Sequence, residues 1–193
     1  MRTAHIVGKG ASAKYLKHDD YPDDIFVAVN HAAIFMDKID YLFANDVEGL
    51  EGIPDEVFNR VKTLAIPFHP HINGNPKESL THEHIIQKYK RFNFEFLVYN
   101  LHTWSVKDER FVDPEPAMTT GGMAFGYVLK CHNIKKIEMY GIANGVGYHP
   151  DISNMLPEAN KVFEQNWKPR RLGDLRHCLE HVAKKYAASV NFN

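Results

Sequence analysis

Two glycine-bearing junctions contain residue types that could hold a phosphate group. The first is the turn Gly8-Lys9-Gly10-Ala11-Ser12, which follows a short apolar segment at the N-terminus. The second is Thr119-Thr120-Gly121-Gly122, which opens an apolar helical pattern. Free N–H groups and the helix dipole attract anions at such helix N-termini. Two junctions of this kind in one chain predict a nucleotide that is held by its phosphates.

Polar or small residues also follow three other predicted strands. Asn30 follows the second strand, Asn45 follows the third, and Gly141-Ile142 follows a strand later in the chain. Ligands of open α/β sheets bind beyond the carboxyl ends of the strands. Dinucleotide-binding domains carry an acidic residue at the position of Asn30. We therefore expect neither NAD nor S-adenosylmethionine as the ligand, and an asparagine suits an anionic ligand because it adds no negative charge.

The segment 143–171 lacks a helical or strand period and is long for a passive connection, which predicts a lid over the site. On this segment, His149 is the first candidate for a general base, since a neutral imidazole accepts protons near pH 7. Three basic residues late in the same segment are candidates to neutralise a departing nucleotide phosphate. They are Lys168, Arg170 and Arg171.

His177 is the second candidate for the base. It is predicted in the first turn of the last helix, where the dipole favours an uncharged imidazole. Both histidines also have a plain structural interpretation, His149 as a loop residue and His177 as an exposed residue on a helix face. The sequence leaves these alternatives open.

Metal binding is not predicted from the remaining histidines and cysteines. The pairs His69/His71 and His82/His84 have a spacing that shares one face only on a strand, whereas proline interrupts one pair and the other has a helical pattern. The two cysteines, Cys131 and Cys178, lie in apolar helical patterns and are predicted to be buried free thiols. We expect no bound metal ion and no cofactor, and the predicted nucleotide would act as a co-substrate.

The elements that must position these residues alternate along the chain. The predicted strands are 4–7, 25–29, 41–44, 63–66, 94–98, 137–140 and 188–192. The predicted helices are 12–17 with Ser12 as its N-cap, 54–61, 81–91, 120–130, and a last helix with apolar positions from Leu175 to Tyr186. Alternation of this kind predicts a single α/β domain over residues 1–193. Its fold class is a doubly wound, Rossmann-like, mostly parallel sheet with helices on both faces.

Composition places the chain among ordinary globular domains. Its 193 residues are 44% hydrophobic and 24% charged, with a formal net charge of −1. This charge balance gives no indication of nucleic-acid binding. No signal peptide and no apolar run long enough to span a bilayer is recognised, so we expect a cytoplasmic protein.

Several segments together resemble the bacterial sialyltransferases of glycosyltransferase family 42. The turn Gly8–Ser12 is similar to that family's glycine turn, and Tyr21–Asn30 and Tyr41–Asn45 resemble its second and third strand segments, which also end in Asn. Thr119–Gly122 and Tyr140–Ile142 resemble its hydroxyl-glycine helix start and its Gly-Ile strand end. The order of these segments along the chain and the lengths of the gaps between them also agree with the family pattern.

The resemblance implies a metal-independent, inverting glycosyltransferase that uses a CMP-sugar or a related nucleotide sugar, with an unknown acceptor. It implies nucleotide contacts at the glycine turn, the asparagines and the hydroxyl-glycine pair, to which we add Gly141-Ile142 because they follow a strand at the carboxyl edge. The corresponding residues are Gly8, Lys9, Gly10, Ser12, Asn30, Asn45, Thr120, Gly121, Gly122, Gly141 and Ile142.

Three positions depart from the family pattern. Ala143 stands where the family has an acid, Ala117 stands near the family's Arg, and Pro169 stands near its catalytic His. A nucleotide-binding protein without transferase activity is therefore an alternative. A pterin-type pyrophosphokinase, which shares a similar glycine turn, is another, although its chemistry needs magnesium and acidic ligands. Homo-oligomerisation is left open.

Overall fold

The fold is a seven-stranded, entirely parallel β-sheet with helices on both faces. A computed structural model describes residues 2–18, 21–70, 81–101, 108–114, 119–142, 149–151 and 169–193, and the backbone alone for 169–174. The strand order is β5-β4-β3-β2-β1-β6-β7. The strands are β1 (Thr3–Val7), β2 (Ile25–Val29), β3 (Ile39–Phe43), β4 (Val61–Pro67), β5 (Glu95–Tyr99), β6 (Lys136–Tyr140) and β7 (Ser189–Phe192). The predicted Rossmann-like α/β class is confirmed, and the described sheet contains no antiparallel pair.

Strand register brings the carboxyl ends of the central strands to one edge of the sheet. Val7, the last residue of β1, pairs with Ala28 of β2 and with Tyr140, the last residue of β6. Val29 pairs with Phe43 at the ends of β2 and β3. The residues that follow these strands are consequently neighbours at this edge.

Two long helices cover one face of the sheet. They are α3 (Thr120–His132) and α4 (Pro169–Lys185). The described inward residues of α4 are Leu175, Leu179, Val182 and Ala183. These positions recur at the predicted helical spacing and join the buried side chains of α3 and of the strands in one core layer.

Shorter elements cover the opposite face. They are the 3-10 helices η1 (Ala11–Tyr15), η2 (Asn30–Phe35) and η3 (Val47–Gly49), and the α-helices α1 (Asp55–Phe58) and α2 (His82–Tyr89). Their apolar residues pack on Phe26, Leu42 and Leu64 in a second core layer. Both faces of the central strands are therefore buried, as their continuous apolar character predicts.

Three details of the sequence interpretation were wrong. Helix α4 begins at Pro169, so residues 169–171 form its first turn and are not part of an aperiodic segment. Gly10, not Ser12, is the N-cap of η1. Cys131 is exposed and Cys178 is half-buried, although both thiols are unpaired as expected. Within the described ranges, no helix is long and apolar enough to cross a membrane.

Candidate functional site

The candidate site lies at the carboxyl edge of the sheet, where strand order reverses between β1 and β6. Chain order runs outward from β1 to β5 on one side, then returns to place β6 on the other side of β1. In α/β proteins, ligands bind in the crevice at such a switch point, beyond the carboxyl ends of the strands. The two glycine-bearing junctions predicted from the sequence both lie here.

The glycine turn after β1 is closed onto the end of β6 by backbone hydrogen bonds. Gly8 N–H donates to Tyr140 O at 2.8 Å, and Gly10 N–H donates to Gly141 O at 3.0 Å. Gly141 N–H donates in return to Ser12 Oγ at 2.8 Å. The N–H groups of Gly8 and Gly10 are therefore satisfied within the protein. The predicted role of these two groups as phosphate donors is not supported by this arrangement.

Close packing explains why glycine is needed on both sides of this contact. A Cβ at Gly8 would lie 2.5 Å from Ile142 Cγ1, and one at Gly10 would lie 2.8 Å from Gly141 O. Gly141 has φ +63°, and its Cβ would lie 2.6 Å from Gly8 O. Ile142 also meets the second junction, because a Cβ at Gly121 would lie 3.0 Å from its Cδ1. The side chain of Ile142 thus packs between the two junctions.

The second junction keeps donors available. Thr119 is the N-cap of α3, and its Oγ1 accepts a hydrogen bond from Gly122 N–H at 3.1 Å. The N–H groups of Thr120 and Gly121 belong to the first turn, where no intrahelical acceptor exists. Both residues are buried against neighbouring elements. The start of α3 therefore directs first-turn N–H groups and a positive dipole end toward the carboxyl edge.

Asn30 is the first residue of η2 and has a left-handed backbone, with φ 54°. Its Oδ1 is buried and has no hydrogen-bond partner among the described residues. This oxygen packs against Gly49, where a Cβ would lie 2.6 Å from it. An unsatisfied buried acceptor in a sparsely populated backbone conformation is more typical of a functional position than of a passive loop.

Asn45 follows β3 and is buried. Its Oδ1 accepts a hydrogen bond from the hydroxyl of Tyr99, the last residue of β5. Burial raises the pKa of Tyr99 well above its ordinary value, and the carboxylate of Asp46 acts in the same direction, so the phenol stays protonated and donates. The amide nitrogen of Asn45 has no partner in the part of the chain that the structure describes.

Lys9 supplies a partly desolvated cation between these loops. Burial lowers the pKa of its ammonium group, and the nearby carboxylate of Asp46 opposes that shift. Burial also lowers the pKa of His31, and the charge of Lys9 lowers this pKa further. The hydrogen bond to Glu51 O opposes the shift but does not reverse it. Neutral His31 donates from Nε2 to Glu51 O at 2.6 Å, which ties η2 to the loop after β3.

His149 lies beside the glycine turn. Its backbone N–H donates to Lys9 O at 2.7 Å, and its ring stacks on Phe35 with centroids 4.1 Å apart. Burial lowers its pKa, while Asp151 raises it and Lys14 lowers it. The N–H of Asp151 donates to His149 Nδ1 at 3.3 Å. Neutral His149 in this arrangement carries its proton on Nε2, and is a hydrogen-bond donor there.

Of the other predicted residues, His177 is described and is not part of this cluster. His177 is exposed and lies about two turns into α4, so the predicted effect of the helix N-terminus on it was wrong. The backbones of Arg170 and Arg171 lie in the first turn of α4, but their side chains lie outside the described residues. Lys168 and most of the predicted lid, 143–148 and 152–168, also lie outside them.

Sequence reasoning missed the residues that hold the site residues in place. Tyr99, Gly49, His31, Phe35 and Asp151 are each far in sequence from the residue that they contact, or lie in loops without a motif. Only Tyr99 could have been found from the sequence. It lies at the carboxyl end of a strand, and therefore reaches the same edge of the sheet as Asn45, which follows another strand. Among the described side chains, no group of three or more His, Cys, Asp or Glu could hold a metal ion.

A separate cavity of about 540 Å³ lies at the opposite, amino edge of the sheet, where Asp40, Lys62 and His132 line it. Both oxygens of Asp40 are already bonded, one to Lys62 Nζ at 2.6 Å and one to Phe26 N–H at 2.9 Å. Nε2 of His132 is buried without a hydrogen-bond partner among the described residues, so one unpaired group remains at this cavity.

Comparisons of the chain with family models, with curated proteins and with solved structures found no match.

Proposed function

We propose that this protein binds a nucleotide in the crevice between β1 and β6 and transfers a sugar from a CMP-sugar or related nucleotide sugar. The observation that carries the proposal is the convergence of the glycine turn, Gly141-Ile142 and the N-terminus of α3 at the switch point of the sheet. The CMP-sugar follows from the resemblance of these same segments to bacterial sialyltransferases. The geometry favours a nucleotide; the sugar and its transfer rest on that resemblance.

The chemistry of the crevice supports an anionic ligand. Its described polar groups are mostly donors or cations: the first-turn N–H groups of α3, the amide nitrogen of Asn45 and the ammonium of Lys9. Asp46 is the acidic residue close to Lys9, and it partly balances that charge. Donors in a partly desolvated crevice stabilise the charge that develops on a departing phosphate.

His149 takes one of two roles in this proposal. As a general base it would accept the acceptor's proton, which requires its lone pair to face the acceptor. The hydrogen bond from Asp151 N–H to Nδ1 instead favours the Nε2–H tautomer, which suits donation to a ligand oxygen. This observation favours the second candidate function, a nucleotide-binding protein without transferase activity.

A nucleotide screen by thermal shift tests the proposal directly. CMP should raise the melting temperature, whereas NAD and S-adenosylmethionine should not. A ligand at 100 times its dissociation constant stabilises the folded state by about 2.7 kcal/mol, which moves a melting temperature visibly. Stabilisation by NAD and not by CMP would refute the proposal.

An assay of donor hydrolysis and transfer separates the two candidate functions. Turnover of a CMP-sugar, with inversion at the anomeric carbon and unaffected by EDTA, supports the transferase. Binding of CMP with no turnover of any CMP-sugar supports the non-catalytic alternative. Loss of turnover on chelation with rescue by magnesium would favour the pyrophosphokinase chemistry instead.

A further inference from the structure

The side-chain amides of the two asparagines at the carboxyl edge are in contact with different neighbours. The oxygen of Asn45 faces the protein interior, where the Tyr99 hydroxyl donates to it. The oxygen of Asn30 is buried next to Gly49 and has no hydrogen-bond partner among the described residues, so the contact with Gly49 fixes the place of this carboxamide and not its polarity. The two atoms of a carboxamide branch from one carbon in different directions, so an oxygen that is fixed inward directs the nitrogen elsewhere.

We infer that Tyr99 is a positioning residue that makes Asn45 present its amide N–H groups at the carboxyl edge, and hence select ligand groups that carry hydrogen-bond acceptors, while Gly49 leaves the space that the Asn30 carboxamide occupies. This inference rests on the proposed nucleotide-binding function and deepens it. The acceptor could belong to a phosphate or to the O2/N3 edge of a cytosine ring. A ligand group that presents an N–H donor, such as N3 of uracil, would face the asparagine N–H, and both donors would be left without an acceptor.

Tyr99 is suited to this role because it is buried in the core and its hydroxyl stays protonated. It is completely buried, and its ring lies 5.4 Å from the ring of Phe43, which immediately precedes the loop that carries Asn45. A phenol that remains protonated keeps a hydrogen to donate, and the hydrogen bond observed here runs from the Tyr99 hydroxyl to Asn45 Oδ1. The hydroxyl therefore acts on the ligand only through Asn45.

Gly49 acts on Asn30 through shape. Its Cβ position is 2.6 Å from Asn30 Oδ1 and 2.9 Å from Asn30 Cγ, so any side chain there must displace the carboxamide. Gly52, in the same loop, offers a matched control, because no atom lies within 4 Å of its Cβ position. Substitution at Gly52 disturbs the loop without touching Asn30.

The first experiment measures CMP binding by calorimetry for the wild type, Tyr99→Phe, Asn45→Ala and the double variant. Tyr99→Phe should weaken CMP binding about tenfold, the change expected for one lost hydrogen bond. The double variant should bind no more weakly than Asn45→Ala, because both changes remove the same oriented amide. Additive losses, or wild-type affinity in Tyr99→Phe, would overturn the inference. Tyr127→Phe is the control, as it removes a buried hydroxyl of the same core layer that does not bond to Asn45.

Three further variants protect the test from a folding defect and identify the ligand group. Asn45→Asp keeps an oxygen for Tyr99 but loses the donor, so it should fold normally and bind CMP at least tenfold more weakly. Gly49→Ala should weaken CMP binding, whereas Gly52→Ala should leave it unchanged. Loss of cytidine binding together with CMP binding in these variants assigns the acceptor to the base. If these variants lose binding of CMP and of inorganic pyrophosphate but retain binding of cytidine, the acceptor belongs to the phosphate.

An NMR measurement on the ligand-free protein separates this inference from the proposed function. In the wild type, the side-chain amide of Asn45 should give a resolved pair of N–H resonances that is shifted in Tyr99→Phe and unchanged in Tyr127→Phe. If the wild type binds no CMP, the proposed function fails while the NMR comparison still supports the positioning role of Tyr99. An Asn45 amide signal that is identical in Tyr99→Phe and the wild type would overturn that role whatever the protein binds.

Discussion

The two glycine-bearing junctions look alike in sequence and differ in what their backbone N–H groups do. At Gly8–Ser12, two glycine N–H groups donate to the end of β6, and Gly141 N–H donates back to Ser12. At the start of α3, Thr119 Oγ1 accepts from the N–H of Gly122, and the two preceding first-turn N–H groups have no partner among the described residues. We call the first junction closed because the protein itself satisfies its donors, and the second open because the N–H groups of Thr120 and Gly121 have no partner among the described residues.

This difference shows that a glycine turn can be required by packing alone. Glycines 8, 10 and 141 bring two backbone segments closer than any side chain allows. The contact brings the switch-point loops together and supports Ile142, which then packs on Gly121 of the open junction. We therefore expect changes in the closed junction to affect stability first, and changes around the open crevice to affect binding first.

Gly141→Ala should produce the largest effect. Its added methyl group would lie 2.6 Å from Gly8 O and 2.7 Å from Gly10 N, on a backbone with φ +63°. Overpacking against backbone and an unfavourable conformation together should lower the free energy of unfolding by about 3 kcal/mol or more in urea denaturation. Gly52→Ala, at φ +76° with open space around it, should cost only about 1–2 kcal/mol. Equal losses would mean that the close approach of the two loops contributes nothing.

Asn30→Asp should have the next largest effect, on binding and not on folding. A carboxylate at this position would repel the ligand's negative charge and remove the amide donor, so CMP affinity should fall about tenfold or more. Asn133→Asp is a matched control, because Asn133 is also left-handed, with φ 51°, but caps the far end of α3. Calorimetry that finds equal CMP affinity in Asn30→Asp and Asn133→Asp would place Asn30 outside the site.

Thr119→Ala tests the open junction by removing the cap of α3. Loss of the hydrogen bond to Gly122 N–H should lower the free energy of unfolding by about 1 kcal/mol. Thr119→Ser retains the hydroxyl and should lose little. The Ala variant should also weaken CMP binding, because an uncapped first turn frays; a stability loss with unchanged CMP affinity would show that the ligand does not use this helix start.

The smallest expected effect is a pH dependence at the closed junction. Burial lowers the pKa of His149 below its ordinary value of 6.5, so the unfolded chain takes up a proton there more readily than the folded protein. The stabilisation from neutral His149 is therefore complete above pH 6.5 and is lost as the pH falls below it. The free energy of unfolding should be measured at about pH 7.5 and at about pH 5.5. Its decrease between these two pH values should be smaller for His149→Gln than for the wild type. Identical drops would mean that this histidine is not held neutral by the fold.

Local sequence patterns determined most of the architecture of this protein. The apolar segments at 25–29 and 137–140 could only be buried strands, and the apolar positions of α4 follow a helical period over its described residues. Side-chain periodicity is a property of each segment alone, so these elements and the parallel α/β class could be read without knowledge of their neighbours. The start of α4 at Pro169 was missed because the first turns of that helix carry no apolar period.

The roles of the site residues depended on partners that the sequence does not bring together. Tyr140 and Gly141 decide which donors of the glycine turn are satisfied, and Tyr99 decides which way the amide of Asn45 faces. Each of these hydrogen bonds joins residues from different strands, and its existence depends on strand order and register. The sequence by itself determined which residues reach the carboxyl edge, while only the tertiary structure decided which of them stay available to a ligand, because a donor's availability is set by the group that packs against it.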